Sequence, residues 1–248
     1  MRYILILCFI LTALINTVNA GKQMLALRQL VEGSPVSSSR FANFERQMEE
    51  FEIPYEYVIG THARVKVPHT ARLEALNQDY LNMIKILRDS DYDNGLICED
   101  DAYYHPNFPV ELNKTINAAM ASGGYDILDL CSQYLIGTPP PPHLPFGTLY
   151  YQRKMDNVPM DPTGRMFLEW PRFTHNDDGH GNHIMWPGGP VCLLVRNQAR
   201  VLNQWEAKIR RLMHRPPDMI LRDLVTEMPG LRMVAQPQLC REIELGKI

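Results

Sequence analysis

The chain has 248 residues, of which 45% are hydrophobic and 21% are charged, and its formal net charge is −3. This length can bury a full core without disulfide support, so the composition favours one globular domain or two small ones. The mild excess of acidic residues provides no electrostatic basis for binding a polyanion, and we expect no nucleic-acid partner.

The first twenty residues differ from the rest of the chain. Arg2 precedes an apolar run over residues 3–15, and small or aliphatic residues follow at Val18 and Ala20. This pattern predicts a signal peptide over residues 1–20. Its apolar core of about 12 residues is shorter than the roughly 20 that a membrane span needs. An uncleaved anchor is the alternative, and only in that case do we expect contact with a membrane.

A signal peptide implies the secretory pathway, in the lumen of the endoplasmic reticulum or Golgi, or secretion. Four cysteines then remain, namely Cys98, Cys131, Cys192 and Cys240. An even number permits disulfides in an oxidising compartment. Three of them lie in apolar, strand-like runs, where a free cysteine is a small buried hydrophobe, so we predict no disulfide framework. The same compartment makes Asn113, in the sequon Asn113-Lys114-Thr115, a predicted glycosylation site.

Apolar runs of strand length alternate with amphipathic helical patterns along the chain. The runs predict strands over 24–27, 55–59, 96–98, 125–131, 191–195 and 231–235, and the helical patterns cover about 41–53, 73–87, 109–121, 199–212 and 216–228. This alternation predicts an α/β fold with a mostly parallel sheet covered by helices on both faces.

One long stretch shows no sustained period. Residues 134–190 contain four consecutive prolines, several glycines and scattered aromatic side chains. Such a stretch within a compact domain is usually functional or mobile. We therefore predict a single domain over residues 21–248 with an irregular insert at about 134–190.

The acidic triplet Glu99-Asp100-Asp101 follows the apolar run Leu96-Ile97-Cys98. Three adjacent carboxylates repel one another, so they are stable together in water or around a cation. Behind a buried strand they should emerge at its carboxyl end, where open α/β sheets bind ligands. Their oxygen ligands suit Mg²⁺ or Mn²⁺, and a metal held there could bind diphosphate oxygens and neutralise a departing nucleoside diphosphate. A solvated acidic turn is the alternative.

The segment Gly95-Leu96-Ile97-Cys98-Glu99-Asp100-Asp101-Ala102-Tyr103 resembles the acidic motif of glycosyltransferase family 25. The order of the surrounding parts is similar as well. Ser39-Arg40 stands at the start of the first helix, the small residues of Gly188-Gly189-Pro190 precede a strand, and Pro217-Asp218 opens a later helix. The sequence departs from the family at Asn77-Gln78-Asp79-Tyr80, where members often carry a serine-histidine pair.

This resemblance implies a GT-A fold, a UDP-sugar donor, Mn²⁺ dependence and a protein or glycan acceptor. It implies that Asp100 and Asp101 contact the metal or the donor and that Glu99 supports them. Asp218 would be a donor-side ligand or the general base that deprotonates the acceptor hydroxyl. A structural N-cap is the alternative for Asp218.

A second candidate site is the loop His175-Asn176-Asp177-Asp178-Gly179-His180-Gly181-Asn182-His183. Its histidines and aspartates could bind Zn²⁺ or another transition metal, which would favour a secreted metal-binding hydrolase. Alternatively, His180 and His183 complete the metal shell of the triplet, or the segment is a solvated loop. A catalytically inactive, carbohydrate-binding relative is the third hypothesis.

Overall fold

A computed structural model describes residues 24–30, 35–59, 69–99, 102–131, 166–169, 192–224, 227–236 and 239–242. The predicted signal peptide and most of the predicted insert lie outside these ranges. Among the helices of the described ranges, none is long and apolar enough to cross a membrane.

The described chain forms nine strands and five helices. The strands are β1 Met24–Leu30, β2 Tyr55–Ile59, β3 Asn94–Cys98, β4 Ala102–Tyr104, β5 Ile127–Asp129, β6 Met166–Glu169, β7 Cys192–Arg196, β8 Leu231–Gln236 and β9 Cys240–Glu242. The helices are α1 Pro35–Glu50, α2 His69–Asp89, α3 Phe108–Ala121, α4 Ala199–Arg211 and α5 Pro217–Leu224.

Seven strands form the central sheet, in the order β2-β1-β3-β7-β5-β8-β6. β1 is parallel to β2 and β3, and β5 is parallel to β8, whereas β7 runs antiparallel between β3 and β5. β6 is antiparallel to β8 at the end of the sheet. Five strands, β1, β2, β3, β5 and β8, therefore end at one edge, which we call the carboxyl edge. The predicted mostly parallel α/β sheet is confirmed.

Helices cover both faces of this sheet. Alternate residues of each central strand point to opposite sides, so both faces carry apolar side chains. On the first face, α2, α4 and α5 pack on strand residues such as Ile97 and Leu193. On the second face, α1 and α3 pack on strand residues such as Leu96 and Leu194. The fully buried side chain of Trp205 joins α4 to α2 on the first face, 5.7 Å from the ring of Tyr80.

Three short strands are absent from the predicted pattern. β4 and β9 pair in a separate two-stranded antiparallel sheet. β6 lies inside the stretch 134–190, where we expected no regular structure, so that expectation is wrong at Met166–Glu169. Strands of three or four residues are too short to show the two-residue alternation of apolar and polar side chains. They form because a partner strand provides hydrogen bonds to their backbone N–H and C=O groups. Helix α5 also ends at Leu224, earlier than the expected residue 228.

Helices α2 and α4 lie antiparallel on the first face. The side-chain amide of Asn197, just before α4, donates to the carbonyls of Leu87 at 2.7 Å and Tyr92 at 2.8 Å, next to the end of α2. Because α2 begins after β2 ends, its first half lies toward the carboxyl edge. The carboxyl end of α4 must then lie toward the same edge.

Candidate functional site

The carboxyl end of β3 places one member of the acidic triplet at the carboxyl edge. Glu99 is half-buried and follows Cys98, the buried last residue of this strand. The hydroxyl of Tyr80, on α2, donates to Glu99 Oε1 at 3.2 Å. Tyr80 is 1% exposed and packs against Trp205, so α2 holds this carboxylate in place. Asp100 and Asp101 lie outside the described residues.

A second carboxylate ends β5 at the same edge. Asp129 is fully buried and stands in register with Leu193 of β7, which in turn pairs with Ile97 of β3. Alternation along each strand directs Asp129 and Glu99 to the same face of the sheet, with β7 between them. Since neighbouring strands lie about 4.8 Å apart, β3 and β5 are about 10 Å apart. The sequence analysis did not single out Asp129.

The environment of Asp129 disfavours its ionised form. Oδ1 accepts a hydrogen bond from the backbone N–H of Cys131 at 2.9 Å, whereas Oδ2 has no hydrogen-bond partner among the described residues. Burial raises the pKa of this carboxyl to about 7, and the Cys131 N–H only partly offsets that effect. Asp129 can therefore exchange a proton near neutral pH.

A buried cation lies one strand away from β3, on the opposite face. Arg28 of β1 pairs in register with Cys98 and is 2% exposed. Its guanidinium donates to the carbonyl of Arg40 at 2.8 Å and lies 4.8 Å from the ring centre of Phe44. The carboxyl edge thus combines acidic groups on its first face with a guanidinium on its second. Arg28 follows directly after the apolar run 24–27, and its position beside β3 depends on strand pairing.

The connection between α4 and α5 brings Asp218 toward this edge. The side-chain amide of Asn77 donates to the carbonyls of Met213 at 2.7 Å and Arg215 at 2.8 Å, which fixes the connection against the first half of α2. Asp218 is the second residue of α5, so it lies in the first helical turn rather than at the N-cap position. A carboxylate there is stabilised by the helix dipole.

Two residues of the segment Asn77-Gln78-Asp79-Tyr80 make contacts that bear on this edge. Asn77 fastens the α4–α5 connection and Tyr80 orients Glu99. The helix therefore acts on the carboxyl edge through its own hydrogen bonds.

The other predicted site residues are divided between described and undescribed ranges. Asn113 lies on α3 and is exposed, and Thr115 of the same sequon is buried, with its hydroxyl donating to the Glu111 carbonyl at 2.8 Å. The histidines His180 and His183 lie outside the described residues. Within the described ranges, no group of three histidine, cysteine or acidic side chains has a geometry that could hold a metal.

Comparison with known proteins is informative about the fold. No family model matches the sequence, and no curated protein matches it. A crystal structure of a glycosyltransferase involved in the glycosylation of the major capsid of PBCV-1 is similar, with a TM-score of 0.50 and 8% sequence identity over 91% of this chain and 94% of that chain.

A structure described as mannose-1-phosphate geranyltransferase from Thermus thermophilus has a TM-score of 0.33 and 10% identity, over 86% of this chain and 73% of that chain. This second likeness is too low to support an argument. The first supports a glycosyltransferase-like fold and does not single out family 25. The chain thus has a mixed α/β, GT-A-like fold, which it shares with this glycosyltransferase structure, and Glu99 lies at the carboxyl edge of its sheet.

Proposed function

We propose that the protein is a metal-dependent glycosyltransferase that moves a sugar from a UDP-sugar to a hydroxyl group of a protein or glycan in the secretory pathway. The observation that carries this proposal is the position of Glu99, at the carboxyl edge of a sheet whose fold is found in a glycosyltransferase. Ligands of open α/β sheets bind at this edge.

The acidic groups at this edge are chemically suited to a divalent cation. Carboxylate oxygens are ligands that Mg²⁺ and Mn²⁺ prefer, and in this proposal Asp100 and Asp101 hold Mn²⁺. When bound, such a metal neutralises negative charge on the departing diphosphate. Tyr80 keeps the neighbouring Glu99 in one orientation, since its hydroxyl donates to Oε1 and its ring is packed by α4.

Two roles are open to Asp218 within this proposal. As a general base it would accept the proton of the acceptor hydroxyl, and as a donor-side ligand it would bind the nucleotide sugar. Substitution Asp218→Asn separates the two roles. Loss of the base lowers kcat for transfer and leaves the KM for the donor unchanged, whereas loss of a donor contact raises that KM.

The test is hydrolysis and transfer with a panel of UDP-sugars, with and without Mn²⁺. We expect turnover that requires Mn²⁺ and is abolished by Asp101→Ala. Asp89→Ala is the matched control, because Asp89 is an exposed acidic residue at the far end of α2. It should keep wild-type turnover.

Two results would contradict the proposal. Turnover that depends on His180 and His183 but is unaffected by Asp100→Ala and Asp101→Ala would assign the chemistry to the histidine loop. Saturable sugar binding without turnover of any donor would indicate an inactive, carbohydrate-binding relative.

A further inference from the structure

The four cysteines of the described chain meet beneath the carboxyl edge. Cys98 ends β3 and Cys192 begins β7, and these residues are direct partners in the strand register. Their sulfur atoms are 3.6 Å apart. Cys240 begins β9, and its thiol makes hydrogen-bond contacts with both Cys131 and Cys192. None of the four is more than 1% exposed.

Backbone hydrogen bonds place the second pair of cysteines side by side. The N–H groups of Leu239 and Cys240 both donate to the carbonyl of Leu130, at 3.3 and 3.2 Å, so Cys240 lies beside Cys131. Directly opposed residues of antiparallel strands have Cα atoms about 4.5–5.5 Å apart, which is within the range that a disulfide accepts. Cys98 and Cys192 are therefore close enough to bond without rearrangement of the sheet, and the thiols of Cys131 and Cys240 lie within hydrogen-bond contact of each other.

All four cysteines are free thiols in the structure, as the sequence led us to expect. From their proximity we propose, against that expectation, that in the oxidised protein Cys98 forms a disulfide with Cys192 and Cys131 forms one with Cys240. The contacts run in the order Cys98, Cys192, Cys240, Cys131. A bond between Cys192 and Cys240 would leave Cys98 and Cys131 without a neighbouring thiol, whereas the two proposed bonds use all four cysteines. A metal is the competing explanation for clustered thiols, but no group among the described residues has a suitable geometry.

Each bond forms by exchange with a disulfide-carrying oxidant, either an oxidoreductase or oxidised glutathione. One cysteine thiolate attacks the oxidant to give a mixed disulfide, and the second displaces the oxidant as a thiol. The protein loses two protons and two electrons, and the oxidant disulfide is reduced to two thiols. Because the folded cluster is buried, the exchange must take place before the strands close over it.

Hydrogen-bond contacts hold the sulfur of Cys192 beside its partners in the folded cluster. Burial alone raises the pKa of its thiol, but hydrogen bonds from Cys240, Cys98 and Tyr104 lower the pKa to about 6. The hydroxyl of Tyr104 also donates to Cys98 Sγ at 2.7 Å, which holds that sulfur beside Cys192.

The two bonds would cross-link the base of the candidate site. One joins β3, just before Glu99, to β7, and the other joins the segment after Asp129 to β9. They would hold the carboxyl edge together whether or not the protein transfers sugars, so this proposal and the proposed function can fail separately.

The test uses the full chain, with its own N-terminal segment, secreted from eukaryotic cells. The protein is denatured and alkylated without reductant, then digested and analysed by mass spectrometry. We expect the four cysteines to be alkylated only after reduction, with linked peptides that contain Cys98–Cys192 and Cys131–Cys240. Alkylation of all four without reduction, or a Cys192–Cys240 peptide, would overturn the proposal.

A double variant, Cys98→Ala with Cys192→Ala, is the matched control and should retain the Cys131–Cys240 peptide. The wild-type protein supplies a second readout if this variant fails to fold. Reduction should lower its thermal midpoint by roughly 10 °C or more, since two long loops lose their cross-links. Equal midpoints in oxidised and reduced samples would refute the cross-links.

Discussion

Replacing Asp129 with asparagine should change how the stability of the protein depends on pH. The folded-state pKa of this carboxyl is about 7, because the side chain is fully buried. In the unfolded chain the pKa is about 4. The folded state therefore binds more protons than the unfolded state between these two values, and the free energy of unfolding falls as pH rises from about 4 to about 7.

The size of this effect follows from the pKa difference. A shift of about three units corresponds to about 4 kcal/mol at pH values above the folded pKa, and to none below about pH 4. Asparagine has the shape of the neutral acid, and its Oδ1 can still accept from the Cys131 N–H. Asp129→Asn should thus gain stability relative to wild type, by up to about 4 kcal/mol, between pH 4 and pH 8.

Urea denaturation of both proteins at a series of pH values measures this difference directly. Subtracting the unfolding free energy of one protein from that of the other at each pH cancels the contribution of every other titrating group. A difference in unfolding free energy that stays constant from pH 4 to pH 8 would refute the reasoning. It would mean that water or a side chain reaches Oδ2 and keeps the ionised form at low cost.

Three further predictions follow from other contacts. Glu206 should behave in the opposite sense to Asp129, because hydrogen bonds from arginines lower the pKa of its carboxyl. Glu206→Gln should therefore lower the free energy of unfolding by under about 1 kcal/mol at neutral pH. Urea denaturation should show that this loss of stability disappears as pH falls through the carboxyl range. Gly95→Ala should lower the unfolding free energy by about 1–3 kcal/mol, because an added Cβ would lie 2.5 Å from Cδ2 of the buried Leu87. A gain in stability, measured by urea denaturation, would show that the Leu87 side chain moves aside freely. Tyr80→Phe keeps the buried ring but removes the hydrogen bond to Glu99. Donor turnover should therefore fall roughly tenfold, while the thermal midpoint stays almost unchanged. Full turnover would show that Glu99 does not need this hydrogen bond to be oriented.

Much of the fold could be predicted from local patterns. Each apolar run that we interpreted as a strand overlaps one, and the apolar stripe of α2 packs on the first face of the sheet. These signals are local, because burial on one side of an element imposes a period of 2 or 3.6 on the sequence. The acid that follows β3 could be placed at a sheet edge for the same reason.

The candidate site itself depended on long-range pairing. β7 lies between β3 and β5 although it follows them by many residues, and this insertion sets the spacing of Glu99 and Asp129. The raised pKa of Asp129 could not be predicted either, since it results from burial by segments that are distant in sequence. The roles of Asp100, Asp101, His180 and His183 remain predictions.

The cysteines illustrate the same division. The apolar surroundings of three of them could be read from the sequence, and the prediction that these three are buried is confirmed, while the fourth is buried as well. Only strand register determines that Cys98 faces Cys192, because two residues 94 positions apart share no local signal. The sequence by itself thus determined which segments are buried, and the tertiary structure decided which buried groups meet, because contact between distant segments depends on how the whole sheet is ordered.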